Sequence, residues 1–287
     1  IVAYVGIVSA NKLKNNSKYA LFLDPGCGKT FITLSHWESH HFDKDLLVVS
    51  KGTVLGEWED EAKEQGLDIE IIYLNQGSTK NKLKIAEPRG DKPRMFLITF
   101  DSSWRLETAI NAFKKNQLMV VFDESHYIKE FASARGKYAR MSLSARFENV
   151  LILTGTPISK ASNIDLFNQM RVIGIDDLRT KTKGAFVENF CVTETNYYGN
   201  YIRENIVGNK NEDILKEILA PKSTFLKFEE TGIILPEPYE KYIDIEMDKE
   251  ADKALKERVY KTWKLQNAGS KMMAYRAASS GFLYGAD

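Results

Sequence analysis

The chain has 287 residues, with 40 Lys and Arg against 39 Asp and Glu, a formal net charge of +1 and a hydrophobic fraction of 43%. Such a length holds one large domain or two modest ones, and the composition is that of an ordinary globular protein, not one that is basic throughout. No apolar run is long enough to cross a membrane, and two cysteines, Cys27 and Cys191, cannot build a disulfide framework, so a reducing cytoplasmic or nuclear setting is expected, without secretion.

The apolar start, Ile1–Val8, lacks a basic leader and reads as the edge of a domain, not a signal peptide. Tyr19–Leu23 predicts a buried strand. A glycine turn follows, Asp24-Pro25-Gly26-Cys27-Gly28-Lys29-Thr30, and then a helix over Phe31–Trp37. His36, His40 and His41 cluster at the end of that helix but lack the His-Glu-x-x-His spacing of a zinc protease, so a solvated helix end is expected. Leu46–Val49 is a strand, and Val54–Gln65 an amphipathic helix with Val54, Leu55, Trp58 and Ala62 on one side. After a strand at Ile69–Leu74 comes a polar excursion, Asn75–Arg94. Its Lys80, Lys82, Lys84, Arg89, Lys92 and Arg94 read as a solvated basic run.

Met95–Thr99 is a strand, Trp104–Lys115 a helix, Leu118–Phe122 a strand apolar on both faces, and Tyr138–Ser144 helical. Asn149–Leu153 is expected to be the last strand of the series. Ile164–Ile173 reads as a helix, and Asp176–Lys222 as mainly helical. Pro236 and Pro238 mark a break, followed by a half-exposed strand at Tyr242–Met247 and a charged helix at Asp248–Gln266. Strands alternating with helices imply an α/β domain whose mainly parallel sheet is covered by helices on both faces. In such sheets ligands lie at the carboxyl ends of the strands.

Three motifs stand at those ends. Strand, glycine loop and helix with Lys-Thr at the helix start is an arrangement for holding a nucleotide triphosphate. Gly26 and Gly28 let backbone N–H groups turn inward with Cys27, Lys29 would reach the β/γ-phosphates, and Thr30 would ligate Mg²⁺. The strict pattern has glycine where this chain has Leu23. Second, Asp123 and Glu124 follow a buried strand: Asp123 suits Mg²⁺, and Glu124 suits positioning and deprotonating an attacking water. Third, Thr154-Gly155-Thr156-Pro157 places small hydroxyl residues at a strand end, where they can bond to carboxylates or to a γ-phosphate.

In this order the motifs resemble the superfamily 2 helicase and translocase ATPases, most closely their Swi/Snf-like branch. Val48–Trp58 is similar to the second motif of that branch, including Trp58, and Leu97–Asp101 to the next. Asp123-Glu124-Ser125-His126, with Lys129 and Ser133, follows its DEAH-type box, and Thr154–Ile158 with Asp165-Leu166-Phe167 follows its coupling motif. The resemblance covers Tyr19 to the C-terminus and implies a RecA-like P-loop lobe over 1–222 with a helical insertion. It further implies an exit linker and helices over 223–287, leading to a second RecA-like lobe missing from this chain. ATP and Mg²⁺ residues would be Gly26, Cys27, Gly28, Lys29, Thr30, Asp123 and Glu124, with Lys29, Asp123 and Glu124 catalytic. Thr154, Gly155 and Thr156 would couple hydrolysis to movement, and Lys51, Gly52, Thr53, Thr99 and Phe100 would lie by nucleic acid, in the first instance double-stranded DNA. Lys51 replaces the usual proline, and the adenine-reading glutamine has no counterpart in Ile1–Tyr19. The implied function is the ATP-binding motor lobe of a double-stranded-DNA translocase or helicase, weakly active or inactive alone. The alternatives are a nucleotide-switched binding module without catalysis and an RNA or single-strand helicase of the same superfamily.

Overall fold

A computed structural model describes residues 12–74, 85, 87–158, 162–198, 201–232, 253, 259–260 and 263–264. The chain divides into two compact units, Ile1–Ile234 and Leu235–Asp287. The first is built on β1 (Lys18–Leu23), β2 (Asp45–Ser50), β3 (Glu70–Tyr73), β4 (Arg94–Thr99), β5 (Leu118–Asp123), β6 (Asn149–Leu153) and, later in the chain, β9 (Ser223–Leu226). They form one seven-stranded sheet in the order β3-β4-β2-β5-β6-β1-β9, with every pairing parallel.

Side chains alternate across that sheet and divide the core in two. Tyr19, Leu21, Leu23, Leu46, Val48, Met95, Leu97, Met119 and Val121 face α1 (Lys29–His41) and α2 (Leu55–Glu64), where Leu34, Trp37 and Trp58 fill the layer. Ala20, Phe22, Leu47, Val49, Phe96, Ile98, Val120 and Phe122 face the other way. There they meet Leu166, Phe167 and Met170 of α3 (Ile164–Val172), Phe186 and Phe190 of α4 (Lys183–Phe190), and Leu215 and Leu219 of α5 (Glu212–Leu219). Burial on both faces explains the near-continuous apolar character of β2, β4, β5 and β6. No described helix is long and apolar enough to cross a membrane.

Several expectations are corrected. The stretch Asp176–Lys222 is not mainly helical: between α4 and α5 runs an antiparallel hairpin, β7 (Cys191–Tyr198) with β8 (Tyr201–Asn209). Asn149–Leu153 is not the last strand, because β9 pairs with β1 from Ala20↔Ser223 to Leu23↔Leu226. Trp104–Lys115 is broken into a 3₁₀ turn at Trp104–Leu106 and a single α-turn at Glu107–Ile110. Tyr138–Ser144 is helical as expected, with the wider π winding. Arg94 is not part of a solvated run: it opens β4, is buried, and gives Nε and Nη2 to Asp45 Oδ2 at 3.0 and 2.5 Å. His36 is likewise buried, not solvated. In the second unit, two stretches expected in a helix over 248–266 are strands, β10 (Val259–Tyr260) paired antiparallel with β11 (Trp263–Lys264). The strand expected at Tyr242–Met247, and Lys80, Lys82 and Lys84, lie outside the described residues.

Candidate active site

The sheet order puts β5, β6 and β1 side by side, so their carboxyl ends bring the three motifs together. The first motif is the loop after β1. Asp24 N–H donates to Leu226 O at 3.0 Å, and Phe228 N–H donates to Asp24 Oδ2 at 3.0 Å, so β9 and the turn beyond it fix the mouth of the loop. Gly26 and Gly28 have φ of 80° and 76°, the left-handed region that glycine enters without a Cβ penalty. Gly28 is the N-cap of α1 and supplies no side-chain cap. Ile32 N–H closes the first turn on Gly28 O at 2.9 Å, so the N–H groups before it stand at the open, electropositive end of a 13-residue helix. Lys29 Nζ folds back over the loop and donates to Leu23 O at 2.8 Å and Asp24 O at 3.2 Å. Cys27 is buried; burial first, and the Asp24 charge second, raise its thiol pKa, which leaves the thiol protonated and unreactive.

The second motif is held from below. Asp123 is 5% exposed, and its Oδ2 accepts from Trp58 Nε1 at 2.9 Å and from Ser50 Oγ at 3.2 Å. Its Oδ1 accepts from Glu124 N–H at 2.9 Å. The carboxylate is thereby fixed in one orientation by three donors. Glu124 lies at φ 53°, ψ 51°, a left-handed conformation that costs a non-glycine residue roughly 1–2 kcal/mol. The turn is closed by Tyr127 N–H on Glu124 O at 2.9 Å. Glu124 Oε2 is 3.1 Å from His126 Nδ1, and the same nitrogen is 3.1 Å from Thr154 Oγ1.

That contact reaches the third motif. Thr154 is fully buried, and its hydroxyl oxygen accepts from Thr156 N–H at 3.1 Å. Gly155 is pressed against the first loop: a Cβ there would come within 2.9 Å of Pro25 Cδ and 3.3 Å of Leu23 O. The Thr-Gly-Thr turn therefore touches both the acidic turn and the glycine loop, with His126 and Gly155 as the joints. The donor set suits a polyphosphate: helix N–H groups, a lysine ammonium and two glycines. No group of three or more His, Cys, Asp or Glu among the described residues could hold a metal alone. An ion such as Mg²⁺ binds through one or two protein ligands with waters and phosphate oxygens, a need that Asp123 and the half-buried Thr30 could meet in the type of oxygen they offer.

Lys51, Gly52 and Thr53 are exposed beyond β2, while Thr99 ends β4, the neighbour of β2 on the side away from β5, and Phe100 follows it. A Cβ on Gly52 would touch Thr99 Cγ2 at 3.5 Å, so the two strand ends form one surface. Thr99 caps a short helix, accepting from Ser102 N–H at 3.3 Å. The Phe100 ring is turned inward, buried and stacked on Tyr127 at 5.7 Å.

Residue reasoning did not single out Ser50, Gln169, Asn168 or Gly136. Ser50 carries no sequence signal beyond ending a strand. Gly136 has no room for a side chain, since a Cβ would stand 2.2 Å from Glu130 O. Trp58 was visible as part of an apolar helix face, but its bond to Asp123 was not.

A model of the SNF2-related domain matches residues 10–283. Among curated proteins, the DNA annealing helicase and endonuclease ZRANB3 of Mus musculus is 26% identical over 220 residues, covering 75% of this chain and 19% of the relative. A Caenorhabditis elegans homologue of SWI/SNF-related matrix-associated actin-dependent regulator of chromatin subfamily A-like protein 1 is 27% identical over 170 residues, covering 58% of this chain and 23% of the relative. The chain thus spans less than a quarter of the length of these relatives. Among solved structures, the Sulfolobus solfataricus SWI2/SNF2 ATPase core in complex with dsDNA aligns with a TM-score of 0.62 at 18% identity, over 97% of this chain and 57% of that one. At that identity the likeness is one of fold.

Proposed function

The chain belongs to the SNF2-related domain family, and on that premise we propose that it is the ATP-binding motor lobe of a DNA-dependent ATPase, a double-stranded-DNA translocase or helicase. The observation that carries this reading is the convergence of the glycine loop, Asp123-Glu124 and Thr154-Gly155-Thr156 at three adjacent strand ends. ATP would lie on the amino end of α1. Lys29, which now donates to its own loop carbonyls, would exchange them for β/γ-phosphate oxygens. Mg²⁺, held through Thr30 and Asp123, would supply charge neutralisation at those phosphates. Glu124 would orient the attacking water in line and accept its proton. His126 and Thr154 would transmit the state of Glu124 to the Thr-Gly-Thr turn and so to movement.

Lys51, Gly52, Thr53 and Thr99 would meet the phosphate backbone. Such contacts are indifferent to base sequence and weaken as salt rises. Phe100, with its ring in the core, would contribute there through its backbone. Arginines from a second lobe would complete the γ-phosphate site. The test is equilibrium ATP binding with Mg²⁺. Lys29→Ala should weaken affinity at least about tenfold, the loss of one or two charge-assisted bonds. Equal affinity for mutant and parent would refute the loop's role.

A further inference from the structure

Gln169, on α3, is fully buried, and its side-chain amide makes three hydrogen bonds, to groups that include one from each of two motifs. Ser125 Oγ donates to its Oε1 at 2.8 Å. Its Nε2 donates to Pro157 O at 2.8 Å and to Asp165 O at 3.0 Å. The two carbonyls require donors, which fixes the orientation of the amide. One face of the same helix makes further bonds to the acidic turn and its tail. Asp165 pairs with Lys129 at 2.9 Å, and Asn168 Nδ2 donates to Ile128 O at 2.5 Å and Gly136 O at 3.3 Å. Positions 165, 168 and 169 are spaced i, i+3, i+4 and so share that face.

We infer that Gln169 is a positioning residue that locks the Asp-Glu turn to the Thr-Gly-Thr-Pro turn and so holds Glu124 in its reactive placement. Glu124 is in a left-handed conformation, which persists only where its surroundings over-determine it. The neighbouring Ser125, anchored through Gln169 to Pro157, supplies that restraint from the side opposite Asp123. The inference rests on the ATPase reading above. It adds a residue that touches neither nucleotide nor nucleic acid and acts only through the two turns.

The test is Gln169→Glu, measured in the intact protein as ATP turnover across pH 6 to 9, with the active fraction fixed by nucleotide-binding stoichiometry. A glutamate here can still accept from Ser125. It donates to Pro157 O or Asp165 O only when protonated, and burial against two carbonyls favours that form. The other charged groups nearby, Asp165 with Lys129, Glu124 and His126, are common to both proteins and cancel in the ratio. The ratio of mutant to wild-type kcat should therefore rise about tenfold from high to low pH, with KM for ATP within about twofold of wild type. Ser125→Ala, a smaller change, should lower kcat about three- to tenfold with KM again unchanged. A flat ratio for Gln169→Glu together with wild-type kcat for Ser125→Ala would overturn the inference and leave the ATPase reading intact. Absence of turnover in the wild-type protein would overturn the reading, and the inference with it.

Discussion

His36 makes the folded state sensitive to mild acid. Its ring is buried on α1, its Nδ1 has no hydrogen-bond partner among the described residues, and the rings of His40 and His41 each lie 5.0 Å away, the first stacked and the second edge-on. Burial first, then the nearby His41, His40 and Lys44 charges, lower its pKa from 6.5 to about 4. The folded-state pKa is depressed, so the unfolded chain binds the proton first. Stability from this group is complete above about pH 6.5 and is lost as pH falls towards 4. With those two values, linkage gives a loss of about 2 kcal/mol between pH 7.5 and pH 5, approaching roughly 3 kcal/mol below pH 4. His41 is shifted the same way, to about 4, but is partly exposed and adds less. The assay is urea unfolding of wild type and His36→Leu at pH 7.5 and 5. The variant cannot titrate at that position, so its loss between the two pH values should be smaller by about 2 kcal/mol, with groups remote from His36 cancelling in the difference. Equal losses in the two proteins would refute the burial argument.

Trp58→Phe keeps most of the buried ring but removes the bond to Asp123 Oδ2. A hydrogen bond to a charged acceptor is worth about 1.5–3 kcal/mol, so the melting temperature should fall by several degrees, and the Mg²⁺ concentration for half-maximal ATP binding should rise. Unchanged values in calorimetry and in the Mg²⁺ titration would contradict the role given to that bond. Gly155→Ala places a methyl 2.9 Å from Pro25 Cδ. Overpacking of that kind costs about 1–3 kcal/mol, and the glycine loop must shift to relieve it, so ATP affinity should fall together with stability. Wild-type ATP affinity would mean that the two turns are not rigidly apposed.

The parallel sheet was legible because β1, β2, β4, β5 and β6 are buried on both faces and so read as apolar runs bounded by turn residues. The glycine loop and the acidic pair were legible because their chemistry requires particular residues at particular spacings. What escaped lacks those signals. The β7–β8 hairpin leaves Val192, Tyr197 and Val207 exposed and, among its described residues, sends only Cys191 and Ile206 to the core, too few to impose an alternation of polar and apolar residues. β9 is four residues long and joins the sheet beside β1, 203 positions away in sequence (Ala20 with Ser223). Arg94 is buried only because Asp45 lies on the adjacent strand, a pairing that exists only once β2 and β4 are in register. Ser50, Trp58 and Gln169 are ordinary residues locally, and their importance arises from partners 73, 65 and 44 positions distant.

The central claim is tested most directly by Glu124→Gln in the intact protein, with ATP binding and steady-state turnover measured side by side in the presence of Mg²⁺ and duplex DNA. The account predicts that the variant binds ATP as tightly as wild type and loses DNA-stimulated turnover by at least about a hundredfold, within the range for removal of a general base. Turnover equal to wild type would contradict it.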